Sequence, residues 1–185
     1  MPASGFPSAS RAASARSIRI GEALALRTAR DGDLDFLRGL YRSFRAEEMA
    51  PLPWSGAAKD AFLDDQFRLQ HQHFTTVFAD ADFMIVEQAG APIGRLYLRR
   101  GEEGVLVVDI GLLPEFRRRG LGRALMEWVL KQASETRAPR VWLHVLPQNL
   151  PARRLYERLG FEIVGDAGIY LHMERRARGR VAPGA

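Results

Sequence analysis

The apolar positions of this chain change period several times, and each change marks an element. Leu34, Leu37, Leu40, Tyr41 and Phe44 recur at helical spacing behind Asp31 and Asp33, either of which can cap a helix, so the pattern predicts a helix through about residue 45. Pro51, Leu52, Pro53 and Trp54 then stiffen a loop and present an indole, and a second helix is predicted over about 57–75. Strands are predicted at 23–27, 78–88, 92–100 and 105–112, with turn signals at 89–91 and 101–104. Ala124, Leu125, Trp128, Val129 and Ala133 define a third helix. A strand at 140–145, a helix at 151–159 and final strands near 161–165 and 169–174 complete the pattern, with Trp128 and Trp142 read as core. The alternation defines an α/β (α+β) domain without internal repeats.

One junction in this pattern carries chemistry. The strand ending in Leu112, Leu113 and Pro114 runs through Arg117, Arg118, Arg119, Gly120, Leu121 and Gly122 into the third helix, beginning with Arg123. The first amides of that helix lack partners inside it, the helix dipole is positive there, and glycine lets a ligand approach the backbone closely. Together with the arginines, this makes an anion site suited to a diphosphate. A nucleotide P-loop would need Lys and then Ser or Thr where Arg123 and Ala124 stand, and a dinucleotide fingerprint would need a third glycine where Leu125 stands. Gly-x-Gly alone is common, and a basic triplet also suits a solvated face.

Arg117, Gly120 and Gly122 fit a pattern of Arg or Gln, two residues, Gly, one residue, and Gly or Ala. With the preceding strand this resembles the acetyl-coenzyme A signature of the GCN5-related N-acetyltransferase (GNAT) superfamily. The downstream segment VWLHVLPQNLPARRLYERLGFEIVG resembles the superfamily's second motif through Asn149, Ala152, Leu155, Tyr156, Gly160 and Phe161. The resemblance covers residue 24 to about 174. It implies the GNAT acyl-CoA N-acyltransferase fold, with a mixed, mostly antiparallel central sheet flanked by helices. It also implies acetyl-CoA as acyl-donor cosubstrate, held by Leu112, Leu113, residues 117–123, Asn149 and Tyr156, with Tyr156 as proton donor to the departing thiolate.

Each of these residues also has a plainer reading. Gly160 and Phe161 suit the left-handed cap of a helix and its hydrophobic contact. Asn149 and Pro151 can simply start a helix, whereas the family uses the asparagine to hold the pantetheine arm. Tyr156 could be a half-buried aromatic with a satisfied hydroxyl. His144 reads as a core or sheet-face histidine rather than a base. Asp109, the one carboxylate in its strand, could hold an ammonium or pass its proton through water, or be a solvated strand-face residue. An alkylammonium, with a pKa of about 10, reacts only after losing a proton, so acyl transfer needs a proton acceptor, oxyanion stabilisation and a proton donor. Gln66, Gln70 and His73 share a side of the second helix with Phe62 and Phe74, and with Trp54 they are candidates for a substrate cleft.

Composition narrows the classes further. A chain of 185 residues can bury about 70% of its unfolded surface as one domain, expected over 21–174. There is no cysteine, so no disulfide, thiol nucleophile or cysteine metal site, and the four histidines show no paired ligand spacing; no metal is expected. No apolar run approaches the roughly 20 residues of a membrane span, and residues 1–20 lack a secretory apolar core, so a cytoplasmic protein without membrane partners is expected. The net charge of +5 is outweighed by Arg11, Arg16, Arg19, Arg175, Arg176, Arg178 and Arg180 in two tails that contain no acid, at 1–20 and 175–185. The tails are expected to lie outside the packed domain, and the slightly acidic body argues against a nucleic-acid partner. The function expected is transfer of an acetyl group by direct attack of a small-molecule primary amine. Alternatives are a protein or peptide N-acetyltransferase, a non-catalytic CoA-binding sensor, and an RNA-binding or assembly protein acting through its tails. The resemblance also allows a homodimer through the late strands.

Overall fold

A computed structural model describes residues 5–7 and 17–177. They form eight strands, β1 (Ile18–Ile20), β2 (Leu24–Thr28), β3 (Asp82–Gln88), β4 (Ala91–Gly101), β5 (Gly104–Leu112), β6 (Arg140–Val145), β7 (Glu162–Ala167) and β8 (Tyr170–Arg176). Four helices accompany them, α1 (Leu34–Met49), α2 (Gly56–Val77), α3 (Leu121–Glu135) and α4 (Leu150–Arg158), with short 3-10 turns at Asp31–Asp33 and Pro114–Phe116. The chain divides into two compact units, Met1–Tyr97 with Asp109–Gly122, and Leu98–Val108 with Arg123–Ala185.

In the first unit the strand order is β1-β2-β3-β4, and β1·β2 and β2·β3 pair antiparallel. Phe83 to Val86 of β3 and Ile93 to Leu98 of β4 are all buried, the mark of strands covered on both faces rather than alternating. Helix α1 buries Leu37, Leu40, Tyr41 and Met49, close to its predicted stripe. Helix α2 buries a narrower line, Leu63, Phe67 and His71, and starts where the Ser55 hydroxyl accepts from the Ala58 amide at 3.2 Å.

In the second unit the order is β5-β6-β8-β7, with β5·β6 parallel and β6·β8 and β7·β8 antiparallel. Val141, Leu143 and Val145 of β6 are buried and alternate with more exposed neighbours. Helix α3 turns Leu125, Met126, Val129 and Ala133 inward. Glu174 of β8 is buried and accepts from Arg140 at 3.0 Å and Arg176 at 2.7 Å, which hold its carboxyl below the ordinary carboxylate range.

The order of elements follows the sequence pattern, with five differences in detail. Phe6, in the segment expected to be a tail, is 3% exposed: its amide donates to Asp31 Oδ1 and its ring meets His71 and Phe83. Ile18–Ile20 of the same segment pairs with β2; an exposed three-residue strand leaves little apolar period to read. Residues 78–81 are not strand, because α2 runs to Val77 and the Phe78 amide still donates to Phe74. Arg175 and Arg176 end β8 rather than open a tail, and Trp128 and Trp142 are half-buried, the latter under the Arg140 guanidinium. The predicted tail residues 1–4, 8–16 and 178–185 lie outside the described residues. Among the described residues, no helix is long and apolar enough to cross a membrane.

Candidate active site

The turn singled out in the sequence is an exposed backbone cradle. After Leu112 and the Pro114–Phe116 turn, the Arg117 amide donates to Pro114. Arg118 at φ +57° and Gly120 at φ +79° then reverse the backbone before α3 starts at Leu121. Reversals of this kind converge amides into an anion-binding nest, which here opens onto the unpartnered amides of the first helical turn. Arg118, Arg119, Gly120 and Arg123 are exposed, and Leu121 and Gly122 are half-buried. The residues present therefore fit the diphosphate of a coenzyme A.

The arginines of the turn are not equivalent. Arg117 folds back: its Nε donates to the Leu112 carbonyl at 2.8 Å and its guanidinium lies 5.2 Å from the Phe44 ring centroid. Arg119 lies over Phe116, and Arg123 donates to Glu127 one helical turn on. The Leu113 amide donates to Ile93. The Leu113 carbonyl accepts from the Phe116 amide at 3.0 Å, so both carbonyls and the Leu113 amide of this pair are already engaged.

Two glycines shape the strands behind the cradle. A side chain on Gly111 would strike the Phe44 ring, and one on Gly94 would strike the Gly111 carbonyl and Leu112. Phe44, which reads as the end of a core stripe, instead sets the tip of its ring against Gly111 of the strand that feeds the cradle.

Asp109 is not the solvated strand residue of the plainer reading. Its Oδ2 is fully buried and forms an ion pair with Nε of Arg95 on β4, whose side chain is 3% exposed. Arg95 Nη2 donates to Gln70 Oε1 of α2 at 2.9 Å, and its guanidinium lies 5.4–5.8 Å from the centroids of Phe44, Phe74 and Tyr97. Burial opposes the Arg95 charge, but Asp109 outweighs it and holds the group above the ordinary arginine range; burial pushes the Tyr97 phenol up. Sequence reasoning missed Arg95, although a lone arginine in an otherwise apolar strand is itself a signal. Of the cleft candidates, Gln70 therefore belongs to this cluster. Gln66 is half-buried, His73 is exposed with its ring near Phe74 and Phe78, and exposed Trp54 meets Phe62 edge-on at 5.5 Å.

In the second unit, Asn149 caps α4 by accepting from the Ala152 amide at 3.3 Å. Tyr156 is buried at 7% exposure. Gly160, at φ +82°, and Phe161 close the helix with both Schellman bonds, to Glu157 and Tyr156, and the Phe161 ring lies 5.9 Å from that of Tyr156. His144 is exposed and faces His172 across β6 and β8 with ring centroids 5.1 Å apart.

The strands are mostly antiparallel, and the anion cradle lies where a strand gives way to a helix. The profile of the Acetyltransferase (GNAT) family matches residues 40–161. The chain belongs to that family and is an acetyl-CoA-dependent N-acetyltransferase. It is 27% identical over 173 residues to streptothricin acetyltransferase of Streptomyces lavendulae, covering 81% of this chain and 88% of the relative. It is 32% identical over 107 residues to mycothiol acetyltransferase of Corynebacterium jeikeium (strain K411), covering 58% of this chain but only 27% of that protein. A solved structure of similar fold is PaiA N-acetyltransferase from Thermoplasma acidophilum in complex with coenzyme A, with TM-score 0.64, 18% identity, and 84% of this chain and 99% of that one covered.

Proposed function

We propose that the protein, acting in the cytoplasm, transfers the acetyl group of acetyl-CoA by direct attack of a primary amine on a small molecule. The observation that carries this reading is the strand leading into the cradle: it holds an anion nest at its end and a carboxylate, Asp109, three residues before Leu112. A relative matched over 81% of this chain bears the name streptothricin acetyltransferase, which supports the acceptor class.

Acetyl-CoA supplies an activated thioester carbonyl. The cradle amides of residues 118–122, with Arg118 and Arg119, would bind the diphosphate. β5 continues to Leu112 beyond its parallel register with β6 at Val105–Val107, and Leu112 and Leu113 would lie toward the pantetheine and acyl carbonyl. Asn149 would donate to the pantetheine arm. Asp109 would receive the acceptor's ammonium, which loses one proton to water before the free amine attacks the thioester carbon. As the carbon–sulfur bond breaks, Tyr156 would give its phenolic proton to the thiolate and regain one from the nitrogen that becomes the amide. A chain without cysteine has no thiol on which to park the acetyl group.

The test is free-thiol release from acetyl-CoA over polyamines, amino acids, aminoglycosides and short peptides, with Tyr156→Phe alongside. Release should depend on one class of small amine and fall about 10²- to 10⁴-fold in Tyr156→Phe at unchanged coenzyme affinity. Release with peptides alone would overturn the acceptor class, and coenzyme binding without release would point to a sensor.

A further inference from the structure

We infer that Arg95 is a positioning residue: anchored by Gln70 and a cage of three aromatic rings, it fixes the Asp109 carboxylate so that Oδ1 receives the ammonium of the acceptor. This rests on the acetyltransfer reading above and deepens it.

The cluster is assembled from four elements of the first unit, with Phe44 from α1, Gln70 and Phe74 from α2, Arg95 and Tyr97 from β4, and Asp109 from β5. Arg95 is 2% exposed, so its charge is sealed from water, and Asp109 is its anionic partner among the described residues. A buried pair of this kind is a poor way to gain stability, since apolar replacements of similar volume commonly do as well. What it does secure is geometry. The planar guanidinium meets two partners, Nε in an ion pair with Asp109 and Nη2 donating to Gln70, while three rings lie near it.

Asp109 is held by one oxygen. Oδ2 is fully buried against Arg95, whereas the side chain as a whole is 23% exposed, so Oδ1 is the edge left to accept from a ligand. This favours holding an ammonium over taking its proton. Neutralising Asp109 would strand the sealed Arg95 without a counter-charge, whereas accepting an N–H from an ammonium leaves the pair intact and adds a charge-assisted hydrogen bond. The acceptor this geometry selects is an amine that arrives protonated, with deprotonation occurring elsewhere than on Asp109.

The two roles differ in kinetics. Loss of a binding contact raises the acceptor KM, whereas loss of a base lowers kcat. In Arg95→Met, the acceptor KM should rise about 10- to 100-fold with kcat within about 3-fold, as expected for a lost charge-assisted hydrogen bond, and the acetyl-CoA KM should stay unchanged. Arg95→Lys, which keeps a point charge but loses the fork, should restore part of the loss. Gln70→Leu, which frees Arg95 on one side, should give a smaller rise in the same parameter. It decides the matter if Arg95→Met does not fold. Unchanged acceptor kinetics in these variants would make the cluster a structural brace, and a loss confined to kcat would make Asp109 the base; either overturns the inference. Coenzyme binding by the wild type with no turnover of any amine overturns the acetyltransfer reading and this one with it.

Discussion

Phe44 and Asp109 show how much a residue's role depends on what the fold lays against it. Phe44 reads as the last member of a helical stripe, yet its ring fills the space over Gly111 and is flanked by the guanidiniums of Arg95 and Arg117. Asp109 was legible as a candidate because it is the one acid in its strand, but its partner lies fourteen positions earlier, on β4, and no local pattern joins the two. Gly160 and Phe161 were fully legible, since a helix cap is local. His144 offers a test at this scale. Although the residue is exposed, partial desolvation of its ring, and then the charge on His172, hold it below the ordinary histidine value of 6.5. The unfolded chain therefore binds a proton more readily there, and stability should rise with pH through the window just below about 6.5 and fall as pH drops through it. Thermal denaturation between about pH 7.5 and pH 5.5 should show this loss, reduced in His144→Asn; an equal slope in the variant would contradict the assignment.

At the scale of elements, strands and helices followed from their periods wherever one face or stripe was apolar. The failures have physical reasons. Residues 78–81 are apolar enough for a strand but are spent closing α2, and β1 is too short and exposed to show a period. The cradle was legible because it is built from backbone geometry that Gly120 and the following helix announce. The division of labour among its arginines was not, because it depends on where each side chain folds. Arg117, Arg118 and Arg119 are all exposed, but Arg117 braces the turn through the Leu112 carbonyl. Arg117→Ala should therefore weaken CoA binding about tenfold, the value of one hydrogen bond to a charged group, without altering its salt dependence. Arg118→Ala and Arg119→Ala should weaken binding and flatten that dependence, because they remove screened charge. Calorimetric titration of CoA at several salt concentrations separates the two, and a flattened slope in Arg117→Ala would place its guanidinium on the phosphate instead.

For the molecule as a whole, the fold class and the family were readable from two motifs and the order of the elements, because the pattern of strands and helices is long and the cradle is local. The acceptor was not readable, because its candidate groups come from α1, α2, β4 and β5 and meet only in the folded state. In the proposed reaction the acetyl group passes directly from the coenzyme to the amine, with no acyl-enzyme between them. Initial rates with acetyl-CoA and the accepted amine both varied test this most directly. Intersecting double-reciprocal lines are predicted, because both substrates must be bound together before transfer; parallel lines, the mark of an acetylated enzyme released between two half-reactions, would contradict it.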